Sequence, residues 1–194
     1  MRRDRLWSVC GHPAGRADGC WHCFPHSRLS HYRRIMSHQH VSPRPGESPP
    51  FHFEDRWSAA ADADAVWAIL ERVEQWPQWW PGLSEAEPVD DRVAPGSRAR
   101  LLVRTPIGTG LRFIIEAEQV RAPHMISFSA HGDLRGQGIW TLSQHHERAT
   151  EIDSLWCVTS TRLPIRMLRP LSGLMHTAVM RAGERGLTAR LLQS

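Results

Sequence analysis

The clearest pattern of apolar and polar positions lies between residues 62 and 82. Val66, Ile69, Leu70 and Val73 recur at helical spacing behind Asp62 or Asp64 as an N-terminal cap. Trp76-Pro77 then breaks the helix and starts a second short helical turn. Ahead of this segment, residues 51–59 read as a strand, with Phe53, Trp57 and Ala59 on one side and Asp55 in phase between them. Beyond it, Ala99, Leu101 and Val103 alternate with Arg98, Arg100 and Arg104. Phe113, Ile115 and Ala117 alternate in the same way with Arg112, Glu116 and Glu118. Further strands are predicted over 125–130, 134–144 and 150–159. Trp140 and Leu142 share one parity in theirs, and Ile152, Trp156 and Val158 share one in the last. Turns at Pro95-Gly96, Pro106 to Gly110 and Ala122-Pro123 make an antiparallel meander the simplest topology.

The chain closes on one predicted long helix, 164–192, with Pro164 suited to its first turn and a kink at Pro170. Ala178, Ala182, Gly183, Gly186 and Ala189 recur at helical spacing, so the backbone there can lie close to another surface, expected to be the sheet.

Three segments, in order, carry a resemblance. The first is the tryptophan-rich run from Val66 to Gly82. The second is Gly132-Asp133-Leu134-Arg135-Gly136-Gln137-Gly138-Ile139-Trp140-Thr141-Leu142, and the third is Trp156-Cys157-Val158-Thr159-Ser160-Thr161 with Leu168-Arg169-Pro170-Leu171 and the run Val179 to Leu187 after it. Over about 51–194 the chain resembles the SRPBCC (START-like, helix-grip) superfamily, of the polyketide cyclase/dehydrase type. The resemblance implies an α+β helix-grip fold: a curved antiparallel sheet wrapped around a long C-terminal helix, with two short helices after the first strand. It implies a cavity between sheet and helix for a hydrophobic small molecule, lipid or polyketide-like, and no cofactor. A minority of the superfamily, the aromatase/cyclases, promote aldol closure and dehydration of a polyketide chain in the same space, and no universal catalytic motif transfers. Ser154 stands where related sequences often carry an aromatic, and Met175-His176-Thr177-Ala178-Val179-Met180 replaces a bulkier run, so a roomier cavity is expected.

Composition divides the chain. Residues 1–50 hold eight arginines against three carboxylates, with six of the twelve histidines, and end in a proline-rich tail. This part reads as a disordered leader, with Met36 as an alternative start. The remaining sixteen arginines meet seventeen carboxylates, which removes most of the case for nucleic-acid binding by the folded part. No apolar run approaches a membrane span, and Leu6 to Cys10 is too short for a signal-peptide core. Cys10, Cys20 and Cys23 lie in the leader and only Cys157 in the domain, so no disulfide framework is expected and a cytoplasmic setting fits. Cys20-Trp21-His22-Cys23-Phe24-Pro25-His26, with Cys10 and His12 nearby, has zinc-compatible ligand types but no second matched pair or periodic apolar pattern, so the disordered reading is kept and no metal site is assigned.

Trp67, Trp76, Trp79 and Trp80 read as core, with a ligand-entrance wall as the other reading. Trp57, Trp140 and Trp156, in the inward phase, serve packing or ligand contact, and Phe113, Phe128, Met175 and Met180 are apolar lining candidates. Among polar groups, a regular first strand places the Asp55 carboxylate inside, where desolvation would raise its pKa and fit it for acid or base work, whereas a bulge would place it outside. Arg112 is out of phase and reads as surface. His131 can reach a cavity mouth or stand in a solvated loop, and His176 can polarise a ligand carbonyl if its face of the helix meets the cavity. The side chains of His145 and His146 point to opposite faces of a strand, against joint metal ligation. The weak catalytic candidates are Asp55 and His176, in the alternative that the chain is a cyclase-like acid/base enzyme.

Overall fold

The computed structural model describes residues 40–105, 108–146 and 148–193. Among these residues seven strands are formed: β1 (Phe51–Ala59), β2 (Leu83–Pro88), β3 (Arg98–Arg104), β4 (Gly110–Arg121), β5 (Met125–Gly132), β6 (Leu134–His146) and β7 (Ala149–Ser160). They make one antiparallel sheet in the order β1-β7-β6-β5-β4-β3-β2. The meander expected from the turns runs from β2 to β7. The first strand then pairs with the last, a long-range choice that local turns do not specify. Strand β2 escapes the alternation reading because only Leu83 and Ala86 in it are buried; it is an edge strand, ending at Pro88.

The helices are α1 (Ala63–Leu70), α2 (Trp76–Trp79), α3 (Leu163–Met167) and α4 (Ser172–Leu191), with single 3₁₀ turns at Val73–Gln75 and Arg169–Leu171. The Asp62 carboxylate accepts from the Ala65 N–H at 2.8 Å, so Asp62 rather than Asp64 is the cap of α1. One continuous C-terminal helix was expected; the chain instead breaks between α3 and α4. Pro170 has no N–H for a helical bond, and Leu168, two residues ahead of it, has already left the helical region at φ −90°, ψ 15°. The layout is nevertheless the expected helix-grip one, a curved sheet around the long helix α4.

The small residues of α4 let it lie against β1 of the sheet, as expected, and against the tryptophan corner at the end of α2 as well. A Cβ on Gly186 would fall on the Trp79 carbonyl oxygen, and one on Gly183 would strike the Trp80 indole and come within 2.8 Å of Trp57. At the two glycines the close surface is the tryptophan corner at the end of α2 together with Trp57 of β1, while Ala178 and Ala189 are exposed.

The expected leader does not extend to Pro50. Residues 40–50 form a strap bonded to the domain. Ser48 N–H donates to the Ser160 carbonyl at 2.8 Å, and its hydroxyl accepts from Ser160 N–H at 3.1 Å. Arg135 grips the Glu47 carboxylate with two nitrogens at 2.7 and 2.6 Å and reaches the Ser42 carbonyl at 2.9 Å. Arg169 donates to the carbonyls of Pro49 and Pro50. The Cys-x-x-Cys run at Cys20 and Cys23 lies outside the described residues.

Candidate functional site

Two buried clusters of apolar side chains lie on the inner face of the sheet. One centres on Trp57, Trp79, Trp80, Trp140 and Leu142, the other on Phe51, Leu101, Leu111, Phe113 and Val158. Trp76, Val103, Ile115 and Trp156 pack against both and are only partly buried, because between the clusters lies a cavity of about 220 Å³. Its sheet wall comes from inward parity: Phe51 and Phe53 of β1, Leu101 and Val103 of β3, Phe113 and Ile115 of β4, Ile126 and Phe128 of β5, Trp140 of β6, Trp156 and Val158 of β7. Its other wall comes from Trp67, Leu70, Trp76 and Trp80 around α1 and α2, and from Met175, His176, Val179 and Met180 on α4. A glycine is required at one place on the floor: a Cβ on Gly138 would stand 2.5–2.6 Å from the Phe128 ring that lies over it.

Of the residues picked from the pattern, Phe113, Phe128, Trp140, Trp156, Met175, His176 and Met180 line this cavity, and Trp57 and His131 do not. Trp57 is 3 % exposed and locked edge-on to Trp80 and Trp140, at centroid separations of 5.1 and 5.5 Å, which makes it core. His131 pairs with Ile114 in the register, not with an inward residue; its exposed ring meets the Ser129 hydroxyl at 3.1 Å. Ser154 is buried opposite Asp55 and Trp140 but does not line the cavity, so its small size adds no room there. Leu70, Val73 and Ile165 were not foreseen as lining. Leu70 and Val73 were read only as the apolar face of the first helix, and Ile165 lies in the short helix α3 that was not separated from the long one.

Polar groups in the wall are few and mostly engaged. Trp67 Nε1 donates to Glu71 at 3.0 Å, Trp76 Nε1 to the Leu70 carbonyl at 3.0 Å and Trp80 Nε1 to the Val179 carbonyl at 2.8 Å, so these rings offer their carbon faces. Thr105 and Ser172 hydroxyls donate to the carbonyls of Thr109 and Arg169. His176 differs. Its Nε2 lies 2.6 Å from Asp55 Oδ2, and its ring stacks on Phe53 at 4.0 Å and 8°. An ionised carboxylate only accepts, so in this bond Nε2 is the donor and Asp55 Oδ2 the acceptor. The bond forms because β1 pairs with β7 without a bulge, which keeps Asp55 in phase with Phe53 and Trp57, as the regular-strand reading requires. The two side chains are 16 % and 19 % exposed, so the pair stands at the margin of the apolar interior. Trp140 Nε1 and the Ser154 hydroxyl, both in the register row of Asp55, are buried without a protein partner.

A curved antiparallel sheet closed by a long C-terminal helix over an apolar cavity defines a START-like domain of the helix-grip class. Residues 50–193 match the model of the family described as polyketide cyclase/dehydrase and lipid transport, and the chain belongs to that family. Three solved structures show the same fold at low identity. The Zhui aromatase/cyclase from Streptomyces sp. R1128 superposes with a TM-score of 0.63 at 17% identity, covering 75% of this chain and 95% of that one. A START superfamily protein from Mycobacterium smegmatis gives 0.60 at 17%, covering 73% and 97%. A norcoclaurine synthase from Thalictrum gives 0.54 at 14%, covering 75% and 96%. No protein of curated function matches the chain in sequence. Among the described residues no helix is long and apolar enough to cross a membrane.

Proposed function

We propose that the domain binds a small, mainly hydrophobic molecule bearing one polar group, with its apolar body in the cavity and its polar group at the Asp55–His176 pair. The observation that carries this reading is the cavity itself: about 220 Å³ of space walled almost wholly by aromatic and aliphatic side chains, with one oriented imidazole at its margin. Ring-sized ligands remove about 150–250 Å² of apolar area from water. At about 25 cal/mol per Å² that is worth roughly 4–6 kcal/mol. A hydrogen bond to a charged group adds about 1.5–3 kcal/mol, and the sum of roughly 5.5–9 kcal/mol, before the cost of association, corresponds to a Kd between about 100 μM and just below 1 μM. The volume lies below the roughly 300–1,000 Å³ of drug-sized pockets, so a lipid or polyketide-like chain would extend beyond the cavity or part α4 from the sheet.

Native mass spectrometry of the full chain, with extraction of any co-purified small molecule, tests the reading directly. A stoichiometric hydrophobic ligand supports it. An empty protein that also ignores apolar fluorescent probes overturns it. Turnover of a polyketide-like substrate, lost in both Asp55→Asn and His176→Ala, would replace the binding reading by the acid/base one, in which Asp55 orients His176 as general base.

A further inference from the structure

The outer face of the sheet holds a second group of reactive side chains, separate from the cavity. Alternation along β7 turns Cys157 away from Trp156 and Val158, and the register sets it opposite His52 of β1. His40, on the strap, stands over this pair. Its Nδ1 is 3.5 Å from Cys157 Sγ, and its ring centroid is 5.1 Å from that of His52. One ligand atom from each of His40, His52 and Cys157 lies within 4.8 Å of the others. None of the three lines the cavity.

We propose that His40, His52 and Cys157 form a binding site for a divalent cation of the zinc class, which clasps the strap to the β1–β7 pair. One sulfur and two imidazole nitrogens are a donor set that suits a borderline-soft ion and not magnesium or calcium. Zinc–sulfur and zinc–nitrogen bonds of about 2.3 and 2.0–2.1 Å, at a tetrahedral angle, separate the two ligand atoms by about 3.6 Å. The observed His40–Cys157 spacing of 3.5 Å matches that separation. A plain S–H to imidazole hydrogen bond would account for this one distance, but it gives no reason for a second imidazole beside the same sulfur. The Glu54 carboxylate, 3.0 Å from His52 Nε2, is a partner of the kind that fixes the tautomer of a ligating histidine. His40 is held near the site by independent anchors, Glu47 on Arg135 and Ser48 on Ser160, so ion binding need not order a free chain end. Both histidines are exposed, which leaves a fourth position to solvent and gives the ion a path in.

Cobalt(II), titrated into the full chain, is the probe, because a cysteine thiolate bound to cobalt gives a charge-transfer absorption that carboxylate or histidine ligands alone do not. The site requires one equivalent of cobalt with that band, a rise in melting temperature with zinc, and both retained when Cys10, Cys20 and Cys23 are together replaced by serine. Cys157→Ser abolishes the band. His40→Ala and His52→Ala, which remove only exposed rings and leave the core intact, weaken binding at least tenfold. No band in the full chain overturns the proposal. So does a band that survives Cys157→Ser but vanishes in the triple serine variant, which would assign the ion to the leader's own cysteines. Unchanged cobalt affinity in His40→Ala does the same.

Discussion

Asp55 and His176 show how far single residues could be read. Period two in the first strand offered Asp55 an inside position, with a bulge as the alternative, and the continuous β1–β7 register decides for the inside one. Helix phase could not orient His176, since α4 carries apolar residues on both neighbouring stripes and its start depends on the break at Pro170. Their hydrogen bond is a tertiary fact. His176→Ala is expected to weaken a probe with a polar head by roughly 10–100-fold, the equivalent of a hydrogen bond worth about 1.5–3 kcal/mol. It should leave a hydrocarbon probe of the same size nearly unchanged. Fluorescence titrations with the two probes decide this, and equal losses for both would mean that the imidazole only packs. At Gly186 the expected effect is on stability: Gly186→Ala drives a methyl into the Trp79 backbone carbonyl, which cannot yield as a side chain could, and should cost about 1–3 kcal/mol in chemical denaturation.

Among the elements, the strap and the C-terminal helices depart most from their sequence patterns. Residues 40–50 have the proline-rich, polar composition of a disordered segment. They are held instead by polar bonds to residues distant in sequence, which composition cannot show. The Arg135 guanidinium, with the Arg44 N–H, holds the Glu47 carboxyl down to about 2 against the opposing effect of burial. A carboxyl with a lower pKa in the folded than in the unfolded chain contributes stability that is complete above about 4.5, its ordinary value, and is lost as pH falls toward 2. Thermal melts across that window should therefore fall, and Glu47→Gln should flatten the fall while lowering stability at neutral pH by roughly 1.5–3 kcal/mol, as for other hydrogen bonds between charged groups. A wild-type melting profile that is flat from pH 5 to 2.5 would contradict this. The break before α4 was half legible: Pro170 marked the place, but whether the helix bends or stops depended on the path from β7 to the cavity wall.

At the scale of the whole molecule, the cavity exists because two apolar clusters meet across a curved sheet without filling the space between them. Ile126→Trp should fill that space from the sheet side, abolish binding of apolar probes and cost about 1–3 kcal/mol of stability through overpacking. Retained probe affinity would show that the binding space lies elsewhere. Alternation and helical spacing in the sequence determined the inward faces of β1, β3, β4, β6 and β7 and the buried side of α1, because each depends only on the period of the backbone that carries it, whereas the helix-grip class was expected from the family resemblance of three segments. Of the nine residues picked as ligand contacts, Phe113, Phe128, Trp140 and Trp156 on the strands line the cavity for that reason, while Met175, His176 and Met180 on α4 line it in a helix phase that the sequence left open. Only the tertiary structure decided the pairing of β1 with β7, the closeness of Asp55 to His176, the docking of the strap, and the meeting of His40, His52 and Cys157. Each of these brings together residues 88 or more positions apart, and no local period encodes the distance between them.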